Sequence, residues 1–461
     1  MNRRIAAAGL SAAGLFSFSV IVAAQSAASA PAPASAQQPP AGPAPMAPVP
    51  PPATGTQVTF SKDVAPILYR NCTSCHRPGT TAPMSLLTFT SARPYAKSIR
   101  NQVMDRQMPP WHADPHIGTF ANTRALSDAD RQTLITWANT GSPEGHPADL
   151  PPMPTYADAW SIGTPDLIVG MLEEYEVPAD GAIDYQYFEA PSTLTEDRWI
   201  DAMEIRSTGL SVVHHVAVTE MPPPESRQPR ERLVAVDPKY FVPAFRTSGP
   251  EGARGPLLML SAGGTGPQVF RPGTGRLIKA GTTIIFQVHY TTNGQKTKDR
   301  TSIGFRFAKQ PPKEEIRLSP LANANFVIPP GAPDHRVDAE MTFIKDVKLR
   351  SIVGHAHLRG KSFTYTLQYP DGRQEVILSI PEYDFDWQTE YVFAEPLRVP
   401  RGTKLLATAL FDNSRANRDN PDPTAEVRWG EQTWEEMMFS WFTYSADTPA
   451  TPLVVTPSGA R

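Results

Sequence analysis

The sequence has little cysteine: Cys72 and Cys75 are its only two in 461 residues. Disulfides elsewhere in the chain are therefore excluded, although an exported protein could use them. Long basic runs are also absent, and 43 Lys and Arg face 46 Asp and Glu, which gives a formal net charge of −3. Neither this charge balance nor any basic run favours the binding of a nucleic acid, so we expect no nucleic-acid partner.

The N-terminus has the pattern of a secretory signal peptide. Two arginines lie within residues 1–4, an apolar stretch covers residues 5–24, and Ala28-Ser29-Ala30 is an A-x-A cleavage site. We assign residues 1–30 to the signal and expect a periplasmic protein without stable membrane insertion after cleavage. An uncleaved membrane anchor is the alternative. The Pro- and Ala-rich residues 31–57 are predicted to form an extended linker.

The two cysteines belong to a C-x-x-C-H motif, Cys72-Thr73-Ser74-Cys75-His76. Thiols one helical turn apart can form thioethers to the two vinyl groups of a haem, and His76 then lies under the iron as proximal ligand. A thioredoxin-like site would need a preceding strand, and a zinc site would need further cysteines or histidines nearby. The motif therefore predicts one haem c.

Helices are predicted on both sides of this motif. Ser61 is expected to cap a helix that leads into it, and Ser127 with Asp130 resembles a capping box for a last helix that ends at Gly141. Residues 58–145 therefore resemble a small all-α class I cytochrome c domain.

In such domains a methionine completes the iron coordination. Our choice is Met108, in Gln107-Met108-Pro109-Pro110-Trp111, because the prolines hold it on an extended turn. Met84, His112 and His116 are the alternatives, and the two histidines are otherwise expected to be exposed loop residues.

The pattern of the sequence changes from helical to β-rich after a Pro-rich linker at 146–164. Short β-rich runs recur between Gly and Pro turns, and few segments have a helical period. Many short strands without alternating helices predict antiparallel sandwiches or jelly rolls. We assign one all-β domain to residues 165–308, a second to 309–447, and a tail to 448–461. The role of a Pro/Gly/Arg-rich insertion at 222–272 stays open.

Three histidines lie in apolar runs of the first all-β domain. His214 and His215 are adjacent in one predicted strand, and His289 ends another. Buried imidazoles are either hydrogen-bonded core residues or ligands of copper, zinc or iron. A regular strand points adjacent side chains to opposite faces, so His214 and His215 can share one metal only at a strand end, a bulge or a strong twist.

The second all-β domain carries His355-Ala356-His357, and this H-x-H spacing places both imidazoles on one face of a strand. Surface histidines on an edge strand are the alternative. Met437 follows Glu435 and Glu436; its thioether is either a soft ligand that favours Cu(I) or core filler. A soft thioether argues against zinc hydrolysis. His146 and His335 are expected to be surface loop residues.

Four motifs in order resemble the type II copper monooxygenases, the ascorbate-dependent family that includes peptidylglycine α-hydroxylating and dopamine β-monooxygenases. They are His214-His215, Gln287-Val288-His289-Tyr290, His355-Ala356-His357 with Gly360, and Glu436-Met437. The resemblance covers about residues 165–447. It implies two antiparallel jelly-roll sandwiches with one copper ion on each.

The resemblance also implies the role of each site. His214, His215 and His289 would hold the electron-transfer copper. His355, His357 and Met437 would hold the copper at which O₂ is activated and one oxygen atom is inserted into a substrate C–H bond. An external donor would supply electrons through the fused haem. The alternative function is a non-catalytic copper and haem protein for electron transfer or copper sensing.

This chain departs from the family in ways that bear on the substrate. It has no disulfides in the all-β part, and it carries its own cytochrome. Where the peptide-processing members anchor a substrate carboxylate, it has Val353, Phe439 and Trp441. These residues argue for a small apolar or aromatic substrate.

Overall fold

The computed structural model of the chain describes residues 57–80, 82–156, 160–224, 234–236, 257–262 and 265–446. The predicted signal peptide, the tail, nearly all of the 31–57 linker and most of the 222–272 insertion lie outside the described residues. Strand (39%) far exceeds helix (12%), so the fold is mostly β with few helices. Within the described ranges no helix has both the length and the apolar character needed to cross a membrane.

The helices lie at the beginning of the described chain. A π-helical turn, Phe60–Val64, runs directly into helix α1 (Ala65–Asn71). The remaining helices are α2 (Phe89–Ala92), α3 (Ala96–Met104) and α4 (Asp128–Asn139), with 3-10 turns at Arg93–Tyr95 and Pro147–Asp149. Their apolar faces form one small core around the fully buried Trp137, whose indole N–H donates to the Pro143 carbonyl at 3.0 Å.

The predicted end signals of the last helix are confirmed. The Ser127 hydroxyl accepts from the Asp130 amide at 3.0 Å, α4 ends at Asn139, and Gly141 adopts a φ of +87° just beyond it. The prediction that Ser61 caps the first helix is wrong. The helical turn already begins at Phe60 after the N-cap Thr59, and Ser61 is buried inside it.

The first β unit contains two main sheets. In chain order the strands of residues 167–315, all but β6 in this unit, are β1 (Leu167–Gly170), β2 (Tyr175–Val177), β3 (Gln186–Pro191), β4 (Arg198–Arg206), β5 (Val213–Met221), β6 (Val234–Val236), β7 (Leu257–Ser261), β8 (Gln268–Val269), β9 (Thr274–Ile278), β10 (Thr283–Tyr290), β11 (Thr297–Asp299), β12 (Ser302–Phe307) and β13 (Glu314–Glu315). One sheet has the order β1-β12-β4-β9-β13, with β8 beside β4, and the other has the order β3-β10-β5-β7. Apolar side chains of both sheets form a single buried core, as in a β-sandwich.

The second β unit repeats this plan. Its strands are β14 (Arg317–Asn323), β15 (Val327–Ile328), β16 (His335–Phe343), β17 (Val347–His355), β18 (Gly360–Gln368), β19 (Gln374–Ile380), β20 (Tyr391–Val399), β21 (Lys404–Phe411), β22 (Val427–Arg428) and β23 (Met438–Ala446). The sheets β14-β23-β17-β20 and β19-β18-β21-β16 enclose its core, and β6 extends the second sheet by pairing with β16.

The helical part is joined to the second β unit by residues 111–122, here called the docking segment. Phe120 forms an isolated bridge with Phe393 of β20, and the Ala121 amide donates to the Val392 carbonyl at 2.8 Å. The Asn122 side chain donates to the Glu390 carbonyl at 2.7 Å and accepts from the Val392 amide at 3.0 Å. The docking segment therefore continues the sheet at β20.

Aromatic packing reinforces this junction. The Trp111 ring lies 4.9 Å from the Tyr391 ring, and the Phe120 ring lies 5.6 Å from it, both edge to face. Phe120 is only 9% exposed and belongs to the core of the second β unit. The chain between α3 and α4 thus contributes core residues to a different part of the molecule.

Replacing Phe120 with alanine is expected to loosen this junction. Loss of a buried phenylalanine typically costs about 3–5 kcal/mol. Hydrogen exchange at the Ala121 and Ala394 amides, which bond across the junction, should accelerate. Phe89→Ala is the matched control, since Phe89 packs only within the helical core. Equal exchange at both amides in the two variants would contradict a junction held by Phe120.

Candidate metal centre

Three histidines converge at one end of the β5–β10 pair. His215 and His289 are direct cross-strand partners, so their side chains share a face. The next pair joins Tyr290 to Val213, which leaves His214 as the extra residue of a bulge. This is the irregularity that the adjacent histidines require. It brings one nitrogen of each imidazole within 4.8 Å of the other two.

The nitrogen atoms of this triad are poorly satisfied by the protein alone. The Nδ1 atoms of His214 and His215 lie 3.2 Å apart. The buried Nδ1 of His289 has no hydrogen-bond partner among the described residues. A buried polar atom without a partner is costly, and a metal ion would supply the missing partner. The donor set therefore fits a metal.

The protonation of the triad also suits a metal. Burial, followed by the neighbouring histidines, lowers the pKa of His289 to about 4. The same causes lower the pKa of His215 well below its ordinary value. Both imidazoles are therefore neutral at physiological pH, which is the form that coordinates metal.

Two aromatic side chains that the sequence did not single out enclose the triad. The Tyr185 ring lies 4.9 Å from the His289 ring, and burial raises the pKa of Tyr185 far above its ordinary value. The Phe385 ring, from the loop between β19 and β20, stacks on His214 at 4.9 Å. Together they restrict access of water to the site.

His355 and His357 form a second cluster at the end of β17. Their rings lie 5.2 Å apart and both are buried, so they are not surface residues of an edge strand. The Nδ1 of His355 lies 2.7 Å from the Gln388 side-chain oxygen, and the Nδ1 of His357 lies 3.2 Å from the Glu435 carbonyl. Because oxygen acceptors place the proton on Nδ1, the Nε2 atoms remain free to act as ligands.

The two clusters adjoin each other. The His215 ring lies 6.4 Å from the His355 ring, and the Phe385 ring that stacks on His214 also lies 6.0 Å from the His357 ring. Burial lowers the pKa of His355 to about 4. Five neutral imidazoles from both β units thus meet at one interface.

Glu436 positions the second cluster without being a ligand itself. Its fully buried carboxylate accepts hydrogen bonds from the backbone amides of His357 at 2.8 Å, Arg359 at 2.6 Å and Met437 at 3.1 Å. Burial raises the pKa of Glu436 to about 7 against these three donors. The carboxyl group therefore fixes the backbone on both sides of the site.

Met437 packs in the apolar cluster on the face that carries His355. His355 pairs with Phe439 across β17 and β23, so the two share that face, and Met437, one residue before β23, packs in the same cluster as Phe439. Met437 is half-buried and packs against Val353 and Trp441 in an apolar cluster. The structure therefore gives Met437 a position suited to both interpretations, ligand and packing residue.

Gln388→Leu is expected to weaken metal binding at the second cluster. Leucine removes the acceptor that orients His355, and loss of such a partner typically lowers metal affinity about 10–100-fold. Retention of metal against a competing chelator measures the change. Gln388→Glu keeps an oxygen acceptor and is the matched control. Equal retention in Gln388→Leu and the parent protein would show that Gln388 does not orient the ligand.

The C-x-x-C-H segment forms a tight turn after α1. The amides of Cys75 and His76 both donate to the Cys72 carbonyl, at 3.1 and 2.8 Å, and neither cysteine is in a disulfide. Burial raises the pKa of the Cys72 thiol to about 12, so it is not a thiolate. Two thiols held one turn apart fit thioether attachment of a haem.

His76 is oriented for one further ligand. Its Nδ1 lies 3.3 Å from the Met84 carbonyl, which leaves Nε2 free. The Met84 backbone therefore lies on the Nδ1 side of this ring. Met108 is half-buried between α3 and the docking segment, and its assignment as sixth ligand stays a prediction.

The remaining four histidines lie outside both clusters. His116 and His146 are exposed, as expected. His112 is half-buried beside Asp384 and Glu382, and burial lowers its pKa. The expectation that His335 lies in a surface loop is wrong: it is the first residue of β16, pairs with Phe411 and is half-buried.

Comparisons with known proteins do not extend this picture. No family model and no curated protein matches the chain. A structure of infectious bursal disease virus, Gx strain, matches at 9% identity over 63% of this chain and 70% of that chain, with a TM-score of 0.17. Allantoicase matches at 8% identity over 52% and 81%, with a TM-score of 0.16. Structural similarity with TM-scores this low supports no conclusion about the site.

Proposed function

We propose that this protein is a periplasmic copper-dependent monooxygenase with a cytochrome c domain and two jelly-roll domains. The reaction is hydroxylation of a C–H bond in a small apolar or aromatic substrate with O₂. The single observation that carries the proposal is that two histidine clusters, one of three residues and one of two, meet at one interface, where the His215 and His355 rings lie 6.4 Å apart.

The chain's own residues have separate tasks in this proposal. His214, His215 and His289 would hold one copper, and His355, His357 and Met437 would hold the other. Cys72, Cys75 and His76 would hold the haem, with Met108 as the proposed sixth ligand. When bound, the haem would take single electrons from an external donor, and the coppers would supply one-electron chemistry and O₂ activation.

The protein shapes this chemistry by orienting ligands and limiting water. The Gln388 side chain and the Glu435 carbonyl fix the tautomers of His355 and His357, so that the Nε2 atom of each would be free to hold a copper ion. Glu436 fixes the backbone around them. Phe385 and Tyr185 cover the triad with aromatic surface.

The substrate class follows from the apolar cluster beside Met437. Val353, Phe439 and Trp441 form its buried part, and Leu257 and Leu260 of β7 pack against them from the first β unit. This surface lies on the same sheet face as His355. The partly buried members of the cluster, which include Leu257, Leu260 and Met437, would contact a small apolar or aromatic molecule, which loses no hydrogen bonds to water when it is buried.

Isotope-labelled oxygen provides the test. Protein loaded with copper and haem, reduced, and mixed with ¹⁸O₂ and a panel of alkylbenzenes should yield ¹⁸O-labelled alcohols. Met437→Ala should lose the product while keeping its haem, and Met153→Ala, at an exposed methionine, is the matched control. Loaded protein that consumes no O₂ with any member of the panel would contradict the proposal and favour a non-catalytic electron carrier or copper sensor.

A further inference from the structure

A cavity lies at a junction of three parts of the chain, apart from the histidine clusters. It encloses about 410 Å³, which is within the range of small-molecule sites. Ala121, Asn122 and Arg124 line it from the end of the docking segment and just beyond. Residues 265–271 and 274 line it from the first β unit, and β17, β20 and β23 line it from the second.

The cavity wall carries an excess of positive charge. Arg124, Arg271 and Arg350 all line it. Arg271 pairs with Glu395 at 3.2 Å, and Arg350 bonds to the Ser445 hydroxyl at 3.0 Å and to Glu314. Arg124 is half-buried and makes no hydrogen bond or ion pair with any residue in the described ranges. A half-enclosed guanidinium without a partner favours an anion beside it.

The acidic residue that lines the cavity does not cancel this charge. Glu390 lines the cavity and accepts from the Ser351 hydroxyl at 2.6 Å, and Ser351 in turn contacts the Thr443 hydroxyl at 2.5 Å. Burial raises the pKa of Glu390, which favours its neutral form. Burial lowers the pKa of Arg350, its ion pair raises it, and repulsion from Arg271 acts in the same direction as burial. A bound anion would relieve that repulsion.

Apolar side chains also line the cavity, among amide and hydroxyl groups. Phe270 and Ile316 line the cavity, as do Val392 and Phe393 of β20. Such a wall favours a ligand with a hydrophobic body as well as a charged group. An inorganic anion would leave this surface uncovered.

We propose that this cavity binds a small organic carboxylate with an apolar body, its carboxylate paired with Arg124 and its body against Phe270 and Phe393. The site is separate from the proposed copper chemistry and needs neither metal nor haem. Because all three parts of the chain line it, a bound ligand stabilises their junction.

Calorimetry on the full-length protein tests the proposal with benzoate as the probe. Benzoate should bind one per chain, benzyl alcohol and inorganic phosphate at least about tenfold more weakly, and benzylamine more weakly still. Arg124→Gln should weaken benzoate binding at least about tenfold. Arg124→Lys should recover part of it, and Arg415→Gln, at an exposed arginine outside the cavity, should bind as the parent does.

Three results would overturn the proposal. Benzoate that does not bind at millimolar concentrations removes the site. Benzoate binding unchanged in Arg124→Gln places the anion elsewhere. Phosphate that binds as tightly as benzoate, or benzyl alcohol that does, contradicts a ligand recognised by both its charge and its apolar body.

Discussion

His357→Ala is expected to remove one of the two coppers and to abolish turnover, while haem content stays unchanged. His357 is 2% exposed, and its ring is held beside His355 by the Glu435 carbonyl. Alanine removes a proposed ligand, so copper per chain should fall from two to one by elemental analysis. Under the proposed function, loss of this copper should reduce product formation to the uncatalysed level.

The control for this variant is His335→Ala. His335 is a half-buried histidine at the start of β16 and lies outside both clusters. It should keep both coppers and its activity. Two coppers per chain in His357→Ala would show that the second cluster is not a copper site.

Glu436→Ala is expected to have the largest effect on stability. Alanine leaves the amides of His357, Arg359 and Met437 buried without their acceptor. At about 1–3 kcal/mol for each of the three unsatisfied groups, the loss is about 3–9 kcal/mol. The transition of the second β unit in differential scanning calorimetry should fall by about 10 °C or more.

Glu436→Gln separates this stabilising role from a simple effect of volume. Glutamine keeps one acceptor oxygen and the length of the side chain, so the loss should be smaller than with alanine. The second proposed copper should be lost more readily in both variants, because the backbone amides of Met437 and His357 are both held by the Glu436 carboxylate. A Glu436→Ala protein as stable as the parent would contradict the role of this carboxylate in holding the site.

The sequence predicts the histidines of the site more fully than the residues that position and cover them. Histidine spacing alone places His355 and His357 on one face, and it identifies the need for an irregularity at His214, which the structure provides as a bulge. Gln388 and Phe385 could not be predicted, because they come from a loop about 30 residues beyond His355 in the chain. Their contact with the histidines depends on how β17 and β20 pair.

The same limit applies to the fold. Alternation and turn residues predict a mostly β chain with a helical beginning, and the Ser127 cap predicts the start of the last helix. The docking segment was not predicted, because Trp111 and Phe120 lie between two helices and their partners lie in β20. No local pattern records a contact across that sequence distance.

Anomalous diffraction at the copper absorption edge, on crystals of the copper-loaded protein, tests the central claim most directly. The account predicts two separate copper peaks, one among His214, His215 and His289 and one among His355, His357 and Met437. A single peak shared by all five histidines, or no copper at either cluster, would contradict it.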